Sequence, residues 1–181
     1  MDRFIALARP SCMDNLTKHA KERGWLPLSS PPWRFHGGMT RGFITPSGVH
    51  VNAVDQTLFG AFVISVMPDK DGVAADLSQL LELVPLETLV QKWDTATTPA
   101  EKVQALLWLS SAQALAGSDM IPAFEAAVRK ALDDADSVVR LAGIRALAIA
   151  PSKLGKELLE GRQDPDNPGL EDWYDLFAQN A

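Results

Sequence analysis

Few residues of this chain are suited to chemistry. Cys12 is its single cysteine, and its histidines are His19, His36 and His50. A thiol beside an imidazole can act as nucleophile and base when a third group orients the base. No such group stands near Cys12, which opens the helical segment "RPSCMDNLTKHAKERGWLPL" and suits a small buried or half-buried hydrophobe. One cysteine also excludes an internal disulfide and any multi-cysteine metal site. His19 falls on the half-exposed face of that helix. His50 alternates with Val49 and Val51 on a strand, which gives it a solvent-facing or cross-strand place. His36 lies in "PWRFHGG" with Trp33, Arg34 and Phe35, the composition of a protein-binding hot spot. These four are the candidate partner-binding residues; the alternative is that Trp33 and Phe35 anchor the loop in the core.

The carboxylates offer two further possibilities. In "DPDNPG", Asp164, Asp166 and Gly169 hold positions one, three and six of a calcium loop, with Asp175 at twelve. Pro168, however, occupies position five, where a side-chain oxygen is needed, and turn chemistry accounts equally well for Asp-Pro and Asn-Pro-Gly. No carboxylate pair is flanked by features that would separate two pKa values for acid–base work, and no glycine-rich phosphate loop is present. The expectation is therefore no catalytic residue, no metal and no cofactor.

The elements that would position these residues divide into two halves. Residues 1–75 show strand and turn signals: "FIALA" is a strand or short helix, and "RGFIT" and "VHVNAV" flank the turn "PSG". "FGAFVISVM" is continuously apolar, as a buried strand is, and "MPDKDG" closes the half with a tight turn. Ser11 is the expected N-cap of the helix between them and Gly24 its C′ residue. From about residue 76 the period becomes helical. Leu86, Leu89, Val90 and Trp93 form one stripe, and Val103, Leu106 and Leu107, with Ser110 and Ala114 below them, a second. Phe124, Ala127, Val128, Ala131 and Leu132 form a third, and Leu170, Trp173, Tyr174 and Phe177 a fourth. Pro85, Pro99 and Pro122 stand at expected helix starts and Pro151 just after an end. The fold class is thus α+β: a small antiparallel sheet with a helix, residues 1–75, followed by antiparallel helical hairpins, residues 76–181.

Three segments of the second half align as helix, polar turn, helix: "TLVQKWDTATTPAEKVQALLWLS", "FEAAVRKALDDADSVVRLAGIRALA" and "ELLEGRQDPDNPGLEDWYDLF". Lys102 and Arg140 hold matching places, 38 residues apart, a period typical of stacked helical hairpins. The middle segment resembles a HEAT or HEAT-like repeat of the PBS-lyase type. The matching residues are Leu132, Asp134, Asp136, Val139, Arg140, Gly143, Ala146 and Leu147, with Gly143 where that family usually has Ala. The match is partial in the segment before, and the third segment lacks the arginine; the resemblance covers about residues 85–181. It implies a short stack in which Arg140 pairs with an aspartate of a neighbouring inter-helix turn, since a guanidinium forms a planar fork fitted to a carboxylate. Asp134, Asp136 and Arg140 are then structural contacts. The sheet half is expected to cover one end of the stack, and Trp173, Tyr174 and Phe177 to close the other.

Charge narrows the partner. Residues 1–80 carry +1 and residues 81–181 carry −7, together the net −6 of the chain. An acidic second half is unsuited to a phosphate backbone and fits a protein with a basic surface. No apolar run approaches the roughly 20 residues of a membrane span, and "MDRFIALARP" makes a poor signal peptide, so the expected location is cytoplasmic. The expected function is a non-enzymatic protein-interaction module. Size and acidity are compatible with an inhibitor such as a bacterial immunity protein. The resemblance also admits an enzyme or lyase-like chromophore-attachment factor, and a structural subunit of a larger assembly is the third possibility.

Overall fold

The computed structural model describes residues 4–9, 12–29, 39–56, 61–116, 122–149 and 153–168. Trp33, Arg34, Phe35 and His36, together with Ser11, Pro151, Trp173, Tyr174 and Phe177, lie outside them. The chain is α+β and divides into two compact units, Met1–Leu89 and Val90–Ala181.

The first unit holds β1 (Phe4–Ala8), α1 (Met13–Glu22), β2 (Leu26–Pro27), β3 (Met39–Ile44), β4 (His50–Gln56), β5 (Ala61–Met67), α2 (Val73–Leu81) and β6 (Val84–Pro85). The strands form one antiparallel sheet of order β2-β3-β4-β5-β1-β6. The "PSG" turn sets the register of β3 on β4. Gly48 takes a φ of +81°, open to a residue without Cβ. Its N–H donates to the Thr45 carbonyl at 2.9 Å, and the Val49 N–H donates to Thr45 Oγ1 at 3.0 Å.

The period of two then sorts the strands' side chains into faces. Phe43, Val51, Ala53, Phe62, Ile64 and Val66 share one core with Leu16 and Ala20 of α1 and with Val73, Ala74, Leu77 and Leu81 of α2. Ile5, Leu7, Val54 and Val63, of opposite parity, are buried as well. A strand buried on both faces needs no alternation, which is why β5 is apolar on both faces apart from Ser65.

The sequence reading leaves one element open, names the glycine at which a second ends, and differs from the structure in a third. "FIALA" is a strand, β1, inserted between β5 and β6. The first helix is shorter than the segment that suggests it. It ends where Gly24, at φ +67°, donates to the Lys21 carbonyl and Trp25 donates to the Ala20 carbonyl, the paired bonds of a Schellman cap. The released Leu26–Pro27 then pairs with Ile44 and Phe43. Finally, α2 begins at Val73, and its apolar face belongs to the sheet core rather than to the helical half.

The remaining helices are α3 (Leu86–Thr95), within which the division between units falls, α4 (Pro99–Ala116), α5 (Pro122–Leu132), α6 (Ser137–Ile149) and α7 (Lys153–Leu159). Pro99 and Pro122 are first helical residues, where a missing N–H costs little. Pro85 instead lies in β6, one residue before α3. In the second unit α4 packs on both α5 and α6, and α5 packs on α6. The stripe Phe124, Ala127, Val128, Ala131 and Leu132 is the buried face of α5. The last turns of α4 are buried all round from Leu109 to Leu115, polar Ser110, Ser111 and Gln113 included. No helix among the described residues is long and apolar enough to cross a membrane.

Leu77→Ala would show that α2 belongs to the sheet unit. Deleting this fully buried side chain is expected to lower the unfolding free energy by about 2–5 kcal/mol in urea titrations.

Candidate functional site

The polar side chains of the second unit concentrate at the turns between helices. The turns before α4 and α6 each end in a helix cap. Thr98 Oγ1 accepts the Glu101 N–H at 3.3 Å, and Glu101 Oε2 accepts the N–H groups of Thr98 and Thr97, both at 3.0 Å. This is a capping box at the start of α4. Asp136 Oδ1 caps α6 by accepting the Val138 N–H at 2.8 Å and, more weakly, that of Val139 at 3.4 Å. The fourth residue of each helix is then a cation, Lys102 in α4 and Arg140 in α6. A cation is disfavoured at the positive end of a helix dipole, so each needs a carboxylate from elsewhere.

Each finds it in the segment that follows the next helix along the chain, after α5 for Lys102 and after α7 for Arg140. Lys102 Nζ donates to Asp134 Oδ2 at 2.6 Å, while Asp134 Oδ1 accepts the Asp136 N–H at 3.0 Å. Arg140 Nε donates to Asp164 Oδ2 at 2.7 Å, while Asp164 Oδ1 accepts the Asp166 N–H at 3.1 Å. Corresponding oxygens play corresponding parts in the two clamps. The arginine does more than the lysine. Its Nη2 reaches Asp164 Oδ1 at 3.0 Å and Asp166 Oδ2 at 2.6 Å, and its Nη1 donates to the carbonyls of Asp134 and Ala135, both at 3.0 Å. Two further ties join these turns. Asn167 donates to the Ser137 carbonyl at 3.1 Å, and Arg162 donates to the Leu132 carbonyl at 3.1 Å and to Asp133 at 2.8 Å.

Of the three structural residues named from sequence, Arg140 therefore meets Asp164 and Asp166 through side chains and Asp134 only through its carbonyl. The Asp134 carboxylate belongs to Lys102, and Asp136 is a helix cap. Asp164 and Asp166, considered for calcium, are engaged by a guanidinium instead, and no group of three metal-ligating side chains occurs among the described residues. The Asp164 carboxyl is held far below the usual carboxylate range by its bonds from Arg140, then by those from Asn167 and the Asp166 N–H. Asp134 is lowered chiefly by the bond from Lys102.

Among its described residues the sheet unit holds no comparable assembly. Cys12 is buried, and burial pushes its thiol pKa up; Asp55 adds to the rise and Arg9 opposes it. That environment keeps the thiol protonated, opposite to what nucleophilic attack needs. Asp55, on the core face of β4, was not singled out in the sequence. It is buried with Oδ1 unpartnered, and burial raises its pKa. His19 stacks edge-on against Trp25 at 5.4 Å, with Nε2 buried and unpartnered, and His50 is exposed.

No family model, no curated protein and no solved structure matches this chain.

The clamps set an acid limit. A carboxyl whose folded pKa lies below its unfolded value, about 3.9 for Asp, contributes stability that is complete above that value and is lost as pH falls through the folded pKa. The urea midpoint is thus expected to be flat from about pH 5 upward with respect to Asp134 and Asp164, and to fall below about pH 4. Asp164→Asn should lower it near pH 6 and flatten the acid fall. Arg140→Ala should lower the melting temperature by several degrees, with Arg140→Lys recovering only part, because an ammonium cannot bond both oxygens in a fork.

Proposed function

We propose that residues 90–181 form a short HEAT-like stack and that the chain is a non-enzymatic protein-interaction module for a partner with a basic surface. One observation carries this reading. The two clamps, Lys102 to Asp134 and Arg140 to Asp164, repeat the same bonds, each from the start of one helix to the segment after the next helix, which is how a stack of helical hairpins fixes one layer on the next. The repetition spends its chemistry on architecture and leaves a row of turns facing outward. On that row Val138 is 59 % exposed, and the side chain of Asp166 remains 63 % exposed although one of its oxygens meets Arg140. An apolar side chain among carboxylates is a surface that a cationic protein face complements, and charge of this kind acts first on the rate of association. An inhibitor that covers the basic site of its target, of the immunity-protein kind, is one form that such a module takes.

The test is affinity purification on the full chain from its source cells at low and high salt, followed by association kinetics with the retained protein. A specific partner should be retained at low salt and weakened by high salt. Asp136→Asn keeps a cap acceptor while removing a charge. Combined with Asp166→Asn, it should slow association several-fold. No protein retained at either salt concentration, or association indifferent to both substitutions, would overturn the reading.

A further inference from the structure

The turn between α3 and α4 differs from the turn between α5 and α6, and the 38-residue offset shows how. At the closest approach of α5 and α6 stands Gly143: a Cβ there would lie 3.2 Å from Leu132 Cδ2 and 3.3 Å from the Ala131 Cβ. Thirty-eight residues earlier α4 carries Ala105, and where α6 has the small Ala146, α4 has Trp108. Between α3 and α4 the helices leave a gap. A cleft of about 190 Å³ opens there, lined by Lys92, Thr95, Ala96, Glu101, Gln104 and Trp108 among others.

Lys92 is the second irregularity. Its counterpart, Lys130, reaches back to Asp94 at 3.4 Å. Lys92 makes no ion pair among the described residues. Its ammonium lies over the Trp108 ring instead, 5.5 Å from the centroid. The indole N–H is sealed from solvent, so the cleft offers the π face of the ring, which attracts cations. Glu101, two helical turns before Trp108 on α4, lines the same cleft, and its carboxyl is held below the usual range by bonds from Thr98 and Thr97. Those bonds use Oε2 and leave Oε1 without a partner among the described residues. A second recess on this unit, about 130 Å³ beside Arg140 and Arg162, offers nothing similar, because both guanidinium groups are already bonded.

We propose that this cleft receives a lysine or arginine side chain of the partner protein, seated on the Trp108 ring with Glu101 as its counter-ion, and that Lys92 is the internal cation it displaces. The inference rests on the reading of the chain as a module for a basic partner, and it assigns that reading a binding site. An aromatic face and a carboxylate lining one cleft satisfy both a cation's charge and its hydrocarbon stem. The ammonium of Lys92 already uses the ring in this way, and moving this exposed side chain into water costs little.

The probe is a short arginine–glycine peptide with blocked ends, added at low salt to the full chain labelled with 5-fluorotryptophan. The Trp108 fluorine resonance, assigned by its loss in Trp108→Phe, is expected to shift on titration. A peptide with glutamate in place of arginine is expected to leave it still. Lys92→Ala is the discriminating variant, since it removes an exposed side chain and leaves the helix intact. It should tighten peptide binding by about two- to fivefold, the worth of one exposed cation–π contact, and Glu101→Gln should weaken it. Weaker binding in Lys92→Ala, or a shift with the glutamate peptide, would overturn the proposal, because Lys92 would then be the ligand-binding group. An unmoved Trp108 resonance, with a salt-sensitive partner still retained by the chain, would overturn the cleft alone and leave the module reading standing.

Discussion

The geometry of the second unit depends on the bond between Arg140 and Asp164. The side chains are only 17 % and 10 % exposed, so both charges have given up most of their water, and a partly dehydrated ion is tolerable only when its hydrogen-bonding capacity is filled. Arg140 fills its own with two carboxylates and two backbone carbonyls. Asp164 fills its own with the guanidinium, the Asn167 amide and the Asp166 N–H. Most of these partners are themselves turn backbone or turn side chains, so the pair holds two loops in shape at once. Loops satisfied in this way can remain short and tightly bent without orphaned polar groups.

The sheet unit relies on a different economy. Its core joins β-branched and aromatic side chains of three central strands to two helices, and its ion pairs are surface contacts such as Arg9 with Glu82 and Arg23 with Asp76, which contribute little. Its buried polar atoms include several without partners: Asn52 and Ser65, which face each other across β4 and β5, and Asp55. Orphaned groups of this kind lower stability, so here apolar packing must carry the fold with little help from charge.

What the sequence revealed follows the range of the forces involved. Elements set by neighbouring residues were legible: the hairpin around "PSG", the helix starts at Pro99 and Pro122, the apolar stripe of α5 and the left-handed residue Gly24. So was the need of Arg140 for a carboxylate, because a cation in the first turn of a helix is locally unfavourable. Elements set by distant partners were not. β2 and β6 are two residues each and exist only because another strand lies beside them, and α2 is periodic like any other helix, with nothing local to show that its face meets the sheet. The acceptor of Arg140 was equally hidden, since Asp134, Asp136, Asp164 and Asp166 are alike in composition, and only the fold decides which of them lies within reach. The cleft beside Trp108 was the least legible feature, because its lining comes from two helices and the turn between them, and no local pattern marks where a gap is left.

The two clamps are alike in plan and unequal in grip. Lys102 holds its aspartate by a single bond about which an ammonium can swivel, and the helix before it stands apart from its neighbour across a gap. Arg140 holds two carboxylates and two carbonyls with a rigid fork, and beside it α5 and α6 close to contact over Gly143. The bonding is therefore looser at the start of α4 than at the start of α6. A load applied to the unit would be taken up as bending near α3, while the region around Arg140 moved as a block.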